Sequence, residues 1–532
     1  MNRLAEQAAS RAGRSVVPTL LIWLAFVGWS LARVPVPGVN EPHYLSKSRH
    51  FWNPEWCRGD FFLDSSNPHW VFYCTFGRLA ELCTLPTAAV AGRTLGLLLV
   101  ACGWQRLCEG ITGRRWIGLL SVPLLLMLQS LGNFSGEWLI GGIEAKVPAY
   151  GCLFWGLGDF LQRRYLRGAS ACGLAISLHP LVGIWGLAAL GLSLLPTLWQ
   201  GFRRRLQPSS EEAASLDLPG LGTWALMGGL CLLLALPGLI PALAVVGAEN
   251  ARLELFANQL QVADRLAHHL DPMRFSKESY RYWGMMIVLW LLLAAPMPRT
   301  AQRRWWKTYV WCTIAIALIG IAVGWGPRPV DQMASYAWRL KLLKFYFFRL
   351  GDLFVPMALA LCVTERGLDL LLAPFATPQM KRVCLGGLFA IILGSLLIPF
   401  PDANPSRMNA RQQADWQQVC QWIQSHSSPD DLVYATDTGW AIKWFAQRPE
   451  YVSFKDMPQD AASIVEWNRR LWVMANWRAA AMQDGEATSV ELQSLRKETG
   501  IHFMICGRFG PVVAEPVFSN GTFRVYELPG EF

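Results

Sequence analysis

Residues 113–164 read GRR (113–115), WIGLLSVPLLLMLQSL (116–131), GEWLIGGIEAK (136–146), VPAYGCLFWGLGDFL (147–161) and QRR (162–164). Two apolar runs of roughly 15 residues, close to the length a hydrocarbon core requires, are flanked by arginine pairs. The loop between them carries Glu137, Glu144 and Lys146. Lys and Arg beside a membrane segment resist translocation, so this pattern places the arginines in the cytoplasm and the acidic loop on the far side. The alternation continues along the chain. Basic loops recur at Arg203-Arg204-Arg205, from Arg303-Arg304 to Lys307, and at Lys381-Arg382. The groups capable of chemistry gather in the other loops, at Asn40-Glu41-Pro42-His43, His179-Pro180 and 264–271.

Apolar runs at 16–34, 87–108, 116–131, 147–161, 221–246, 282–297, 308–325, 345–364 and 383–400 each read as one membrane span. The stretch 168–199 is too long for a single span, and His179-Pro180 at its middle reads as a hairpin turn. That gives about eleven helices. With the N-terminus inside, an odd number places the C-terminus outside and every basic loop in the cytoplasm. Residues 71–85 contain Arg78 and Glu81 and read as an interfacial or re-entrant helix. The N-terminal run ends without a small-residue cleavage site and reads as a retained first helix.

From residue 401 the pattern becomes that of a small α/β domain. A helix is expected over 414–425 from the spacing of Trp416, Val419, Cys420, Trp422 and Ile423, and another over 463–477. Strands are expected at 432–435 and 501–506, with a terminal strand pair over 511–528 turning at Asn520-Gly521. The fold class is therefore mainly α: a polytopic membrane bundle over 1–400, with a long first outer loop at 35–70, and an extracytoplasmic α/β domain over 401–532.

Composition agrees with that class. The chain is 53% hydrophobic and 16% charged, with a mean hydropathy of +0.25. The net charge of +10 is accounted for by the basic loops, which excludes nucleic acid as the expected partner. The thirteen cysteines show no CxxC spacing and read as small residues of the apolar core. No internal repeat of the kind common in transporters is visible.

The candidate site residues lie in the acidic loops. Glu41 opens the first outer loop where helix one leaves the bilayer, as a general base, a metal ligand or a solvated acid. Glu137, Glu144 and Lys146 flank a glycine pair, and charges at that depth are paired or functional; Glu144 with Lys146 also reads as a plain ion pair. His179 reads as a helix cap or a site residue. Asp264 and His268 share a helix face at i,i+4, which suits a metal, while Arg265, His268 and His269 suit a phosphate. Arg339, Lys341, Lys344 and Arg349 approach the tenth helix from outside; Arg349 suits a lipid phosphate or an i,i+3 pair with Asp352.

In the acidic residue opening the long first outer loop (Glu41), the acidic second loop (Glu137, Glu144), the number of spans and the C-terminal extracytoplasmic domain, the chain resembles the GT-C superfamily of membrane glycosyltransferases. Gly141-Gly142-Ile143-Glu144-Ala145-Lys146 and Ala414-Asp415-Trp416 are similar to an uncharacterised bacterial group within it. The resemblance implies a bacterial inner-membrane location and a polyprenyl-phosphate-linked sugar donor. It also implies inverting transfer to an acceptor hydroxyl, with Glu41, Glu137 and Glu144 as catalytic carboxylates. Lys146, His179, Arg265, His268, His269, Arg339 and Arg349 would contact the donor or its phosphate. Many members carry an acidic pair at the first position, where this chain has Asn40-Glu41, so a divalent metal stays open. A transporter or flippase of a lipid-linked or sugar-like substrate, and a non-catalytic assembly protein, are the alternative readings.

Overall fold

The computed structural model describes residues 2–131, 134–206, 216, 218–248, 250–297, 300–437 and 439–530. The chain forms two compact units. The first comprises Met1–Arg33, Arg93–Ile240 and Val262–Ala403; the second comprises Val34–Gly92, Pro241–Gln261 and Asn404–Phe532.

Each apolar run of the sequence forms a helix: Asn2–Arg33, Leu85–Thr112, Val122–Leu131, Lys146–Leu161, Tyr165–Leu178, Pro180–Leu206, Leu221–Ala244, Lys277–Ala294, Ala301–Gly324, Arg349–Leu372 and Pro378–Leu397. A helix satisfies every backbone donor and acceptor within its own segment, which lipid cannot do. Among the described residues, six are long and apolar enough to cross a membrane by length and composition. The chain is an integral membrane protein. The expected break at His179 is present: its backbone is extended (φ −150°, ψ 98°), and Pro180 disfavours a helical residue before it. Residues 203–205, expected in a loop, fall in the last turn of Pro180–Leu206.

Small residues let the helices of the first unit approach closely. A Cβ on Gly103 would lie 2.2 Å from the Gly151 carbonyl oxygen, so Leu85–Thr112 and Lys146–Leu161 meet backbone to backbone. The charge sorting of the sequence is visible in side-chain pairing. Arg106 Nε donates to Asp159 (2.6 Å), Arg114 pairs with Asp369, and Arg303 pairs with Glu365 (2.6 Å). These three pairs lie toward one set of helix ends. Glu137, Glu144, Lys146 and Arg349 lie at the opposite set.

In the second unit a four-stranded sheet has the order β1-β2-β4-β3, with β1 Leu432–Ala435, β2 Ile501–Cys506, β3 Phe518–Ser519 and β4 Arg524–Glu527. β1 and β2 run parallel, joined through helices Ala461–Ala481 and Ser489–Thr499; β4 runs antiparallel to β2 and β3. Helix Ala410–His426 starts in a capping box between Asn409 and Gln412. Its apolar stripe of Trp416, Val419, Cys420 and Ile423 packs with Val433, Phe503 and Val525 of the sheet.

Two differences from the sequence reading concern the first outer loop. It contains an unexpected helix, Glu41–Trp52, with Pro42 at its first turn, where a missing N–H loses no hydrogen bond. The single helix expected over 71–85 is instead three short helical turns: Trp70–Cys74, Phe76–Arg78 and Leu79–Leu82. Thr75 (φ −110°, ψ −92°) leaves helical geometry between the first two.

Candidate functional site

In the first unit, the loop from Phe134 to Ala145 is held in place by buried polar side chains from its neighbours. Asp352, in the first turn of Arg349–Leu372, accepts the backbone N–H groups of Phe134, Ser135 (2.7 Å) and Glu137 (3.0 Å), and also the Ser135 hydroxyl (3.0 Å). Gln129 Oε1 accepts the N–H groups of Leu139 (2.9 Å) and Ile140 (3.1 Å). Ser30 donates to the Gly141 carbonyl (2.6 Å). A loop with so many fixed amides presents its side chains in one arrangement.

Those side chains form a buried charge cluster. Glu137 Oε1 lies 3.3 Å from Arg349 Nη1, and Glu137 Oε2 lies 3.5 Å from Lys146 Nζ. Glu144 Oε1 lies 3.3 Å from the same ammonium, which also sits 4.2 Å from the centre of the Trp138 ring. All four charged residues are at most 7% exposed, so each charge depends on the others for compensation. The expected Glu144–Lys146 pair is present as one edge of this cluster. The i,i+3 partner expected for Arg349 is engaged elsewhere, since Asp352 binds the loop backbone and Arg349 reaches Glu137. The Arg349 guanidinium also stacks on Tyr346 at 4.5 Å and lies 3.4 Å from His179 Nε2. His179 fulfils its expected capping role as well, its Nδ1 accepting the Val182 N–H (3.4 Å).

The histidines of the next loop join the edge of the cluster. His269 Nδ1 donates to the Ser135 carbonyl oxygen (2.6 Å). Burial, together with neighbouring His268, Lys146 and Arg349, pushes its imidazole well below the ordinary histidine range. That leaves His269 neutral, with the Nδ1 proton fixed by Ser135. Tyr346 lies within electrostatic range of Arg349, Glu137, Arg265 and Glu144. Glu137, Glu144, Lys146, His179, Arg265, His268, His269 and Arg349 thus share one neighbourhood. Arg339 is occupied with the Trp325 carbonyl (2.8 Å).

The shared helix face expected for Asp264 and His268 is not present. Asp264 lies in a π-helical turn, Leu260–Arg265, whereas His268 lies in a separate helix, Ala267–Leu270. The helix face that would align them is broken at Leu266. Asp271 pairs with Arg328 instead. Among the described residues no group of three or more His, Cys, Asp or Glu is arranged to hold a metal ion.

Glu41 belongs to the second unit. It is fully buried and accepts the Gly38 N–H at 2.6 Å, while the adjacent Asn40 accepts from Lys455 Nζ (2.8 Å). Within the same unit, Lys443 Nζ lies 2.8 Å from Glu450, 2.9 Å from Asp456 and 3.4 Å from Asp60. Asp456 also bonds His43 Nδ1 (3.0 Å). Burial raises both Asp456 and Glu450. For Asp456, Lys443 and His43 outweigh it and hold the acid below the usual carboxylate range. For Glu450, burial wins and the pKa is pushed up to about 7. Burial also pushes Lys47 down to about 7, although its ammonium donates to the Phe62 carbonyl at 2.7 Å. Lys443 therefore sits within 3.4 Å of all three of these carboxylates.

Sequence reasoning did not identify Lys47, Lys443, Glu450 or Asp456; the last three are joined to His43 and Asp60 by contacts between positions roughly 400 residues apart. It also missed the loop-holding role of Gln129, a polar residue in an apolar run. For Gln129 a signal existed, because a polar side chain in a membrane helix needs a partner.

A model for a domain of unknown function (DUF6798) matches residues 414–474. No curated protein matches the chain. Among solved structures, the chain is similar to ArnT from Cupriavidus metallidurans bound to undecaprenyl phosphate, with a TM-score of 0.49 and 14% identity over 97% of this chain and 98% of that one. It is also similar to ArnT from the same organism in the apo state, with a TM-score of 0.47 and 13% identity over 98% of each chain.

Proposed function

We propose that this protein is a membrane glycosyltransferase that moves a sugar from a polyprenyl-phosphate donor to an acceptor hydroxyl on the extracytoplasmic side, with inversion at the anomeric carbon. The observation that carries this reading is the cluster of Arg349 and Lys146 with Glu137 and Glu144. It lies beside an amide-pinned loop, at the helix ends opposite the basic loops. A lipid phosphate entering among apolar helices needs a rigid, desolvated cationic partner, and a guanidinium presents a planar donor fork suited to it.

In this mechanism Arg349 and Lys146, with Arg265 and His268 beside them, receive the donor phosphate and stabilise the charge that develops on it as the glycosidic bond breaks. Glu137 and Glu144 hold the two cations in position. The leaving group is an anionic phosphate, so no strong general acid is required. Glu41 acts as the base that removes the acceptor proton.

The test is sugar release from a polyprenyl-phosphate donor by purified protein in lipid, with an acceptor extract supplied. Glu41→Gln should fold and bind donor while turnover falls by roughly 10²–10⁴, the usual contribution of acid–base catalysis. Arg349→Gln should weaken donor binding and turnover together. Full turnover in Glu41→Gln would remove Glu41 from the mechanism. Absence of turnover by wild type across a broad donor panel would favour transport or assembly instead.

A further inference from the structure

At the end of the first unit that carries the basic loops, helices Lys277–Ala294, Ala301–Gly324 and Arg349–Leu372 enclose a cavity of about 470 Å³. Glu365, which lines it, stands sixteen residues beyond Arg349 on one helix. At about 1.5 Å per residue, that places it about 24 Å from Arg349 along the axis. The cavity and the Arg349 cluster are therefore separated by most of a hydrocarbon core.

Its lining has two chemical parts. Trp290, Trp306, Ala294 and Leu361 form an apolar wall. Arg303, Arg304 and Lys307 supply three cations, and Glu365 is the carboxylate among the lining residues. Arg303 Nη2 is committed to Glu365 at 2.6 Å. Arg303 Nε and Arg304 Nη2 are buried, with no acceptor among the described residues. The large majority of buried side-chain polar atoms have a hydrogen-bond partner. Both of these nitrogens belong to residues that line the cavity, and the excess of lining cations over carboxylates suits an anionic occupant. The Ala301–Gly324 helix begins here, and its N-terminal dipole acts in the same direction.

We propose that this cavity binds the phosphate of an anionic phospholipid from the leaflet adjoining the basic loops, with its acyl chains along the Trp290–Trp306 wall. Basic pockets between membrane helices on the cytoplasmic side suit such headgroups. A free phosphate would satisfy the donors but make no use of the apolar wall. The site is independent of the proposed transfer chemistry, because binding can be read without turnover.

The experiment uses the full chain in vesicles of equal phosphatidylcholine and phosphatidylglycerol, extracted in mild detergent and weighed with its retained lipids by native mass spectrometry. Wild type should retain phosphatidylglycerol in preference to phosphatidylcholine. Arg304→Gln with Lys307→Gln should cut that preference roughly thirtyfold, given about 1 kcal/mol for each basic residue toward anionic lipid. Ala295→Phe, which fills the lining without changing charge, should lower it too, whereas Arg304→Lys should largely preserve it. Inorganic phosphate added during extraction should leave the retained lipid in place. Equal retention by wild type and the charge variant would overturn the proposal. So would full retention by Ala295→Phe, which would indicate general surface attraction, or complete displacement by inorganic phosphate, which would make the cavity a free-anion site.

Discussion

The two buried charge clusters handle electrostatics in opposite ways. In the first unit, Arg349 and Lys146 face Glu137 and Glu144, and Asp352 is hydrogen-bonded by backbone amides. Charge is matched there, so the arrangement depends on where the loop backbone is held. In the second unit one ammonium, Lys443, serves Asp60, Glu450 and Asp456. Three carboxylates crowd one buried ammonium there, and burial pushes Glu450 up to about 7. A site held by its loop backbone presents its four charges already paired to a ligand. A site controlled by charge joins distant segments but responds to pH.

The contrast is broken most directly at Lys443. Lys443→Met keeps length and apolar bulk but leaves three buried carboxylates without their shared cation. Removing one partner of a buried ionic network costs about 3–5 kcal/mol, so the second unit should unfold locally far more readily. Hydrogen exchange at Val433 and Ile505, in β1 and β2, would report it in the intact protein. Protection unchanged from wild type would show that the carboxylates find other compensation.

The second prediction concerns the proton. A carboxyl with an ordinary value of 4.5 and a folded value of about 7 keeps a proton that the unfolded chain has already released between those two pH values. Stability contributed by this group therefore falls as pH rises from about 4.5 to about 7. Glu450→Gln removes that dependence. Relative to wild type, the variant should gain roughly 1–2 kcal/mol in local stability on going from pH 5 to pH 8. Exchange at the same amides, compared at the two pH values after correction for intrinsic rates, measures it. A variant-to-wild-type difference that stays constant with pH would show that Glu450 does not take up the proton.

How much of this was legible in the sequence follows the same division. The spans were readable because an apolar run in lipid has little alternative to a helix, and even the break at His179-Pro180 follows from local sterics. Strands β1 and β2 and the stripe of Ala410–His426 were readable from periodicity. The Asp264–His268 alignment failed because periodicity assumes an uninterrupted helix, and the chain winds through a π turn there. Helix Glu41–Trp52 carries a start signal in Pro42 but has a polar surface with weak periodicity. In the first cluster, Glu137, Glu144 and Lys146 were legible because charges near membrane helices are few and stand out. In the second, Lys443 and Glu450 lie in the α/β part of the second unit, among many other charged residues, and tertiary contact alone distinguishes them.

The smallest expected effect tests whether the first cluster is governed by backbone position. Gly136 has φ +81°, a region that costs an L-residue about 1–2 kcal/mol. A Cβ there would stand 2.4 Å from the His269 ring, so Gly136→Ala must also displace the imidazole that bonds Ser135. None of the four charges in the cluster is altered. If geometry controls the site, the loop around Ser135 and Glu137 should exchange its amides about fivefold faster, the effect of about 1 kcal/mol of local strain. The signal of His269 should also change in an NMR spectrum of ring-labelled protein. Helices Ala301–Gly324 and Arg349–Leu372 should keep wild-type protection, because the strain is confined to the loop. Unchanged exchange at Ser135 and Glu137 would mean that the charge pairs hold the loop without help from the glycine. The distinction drawn between the two clusters would then fail at the first of them.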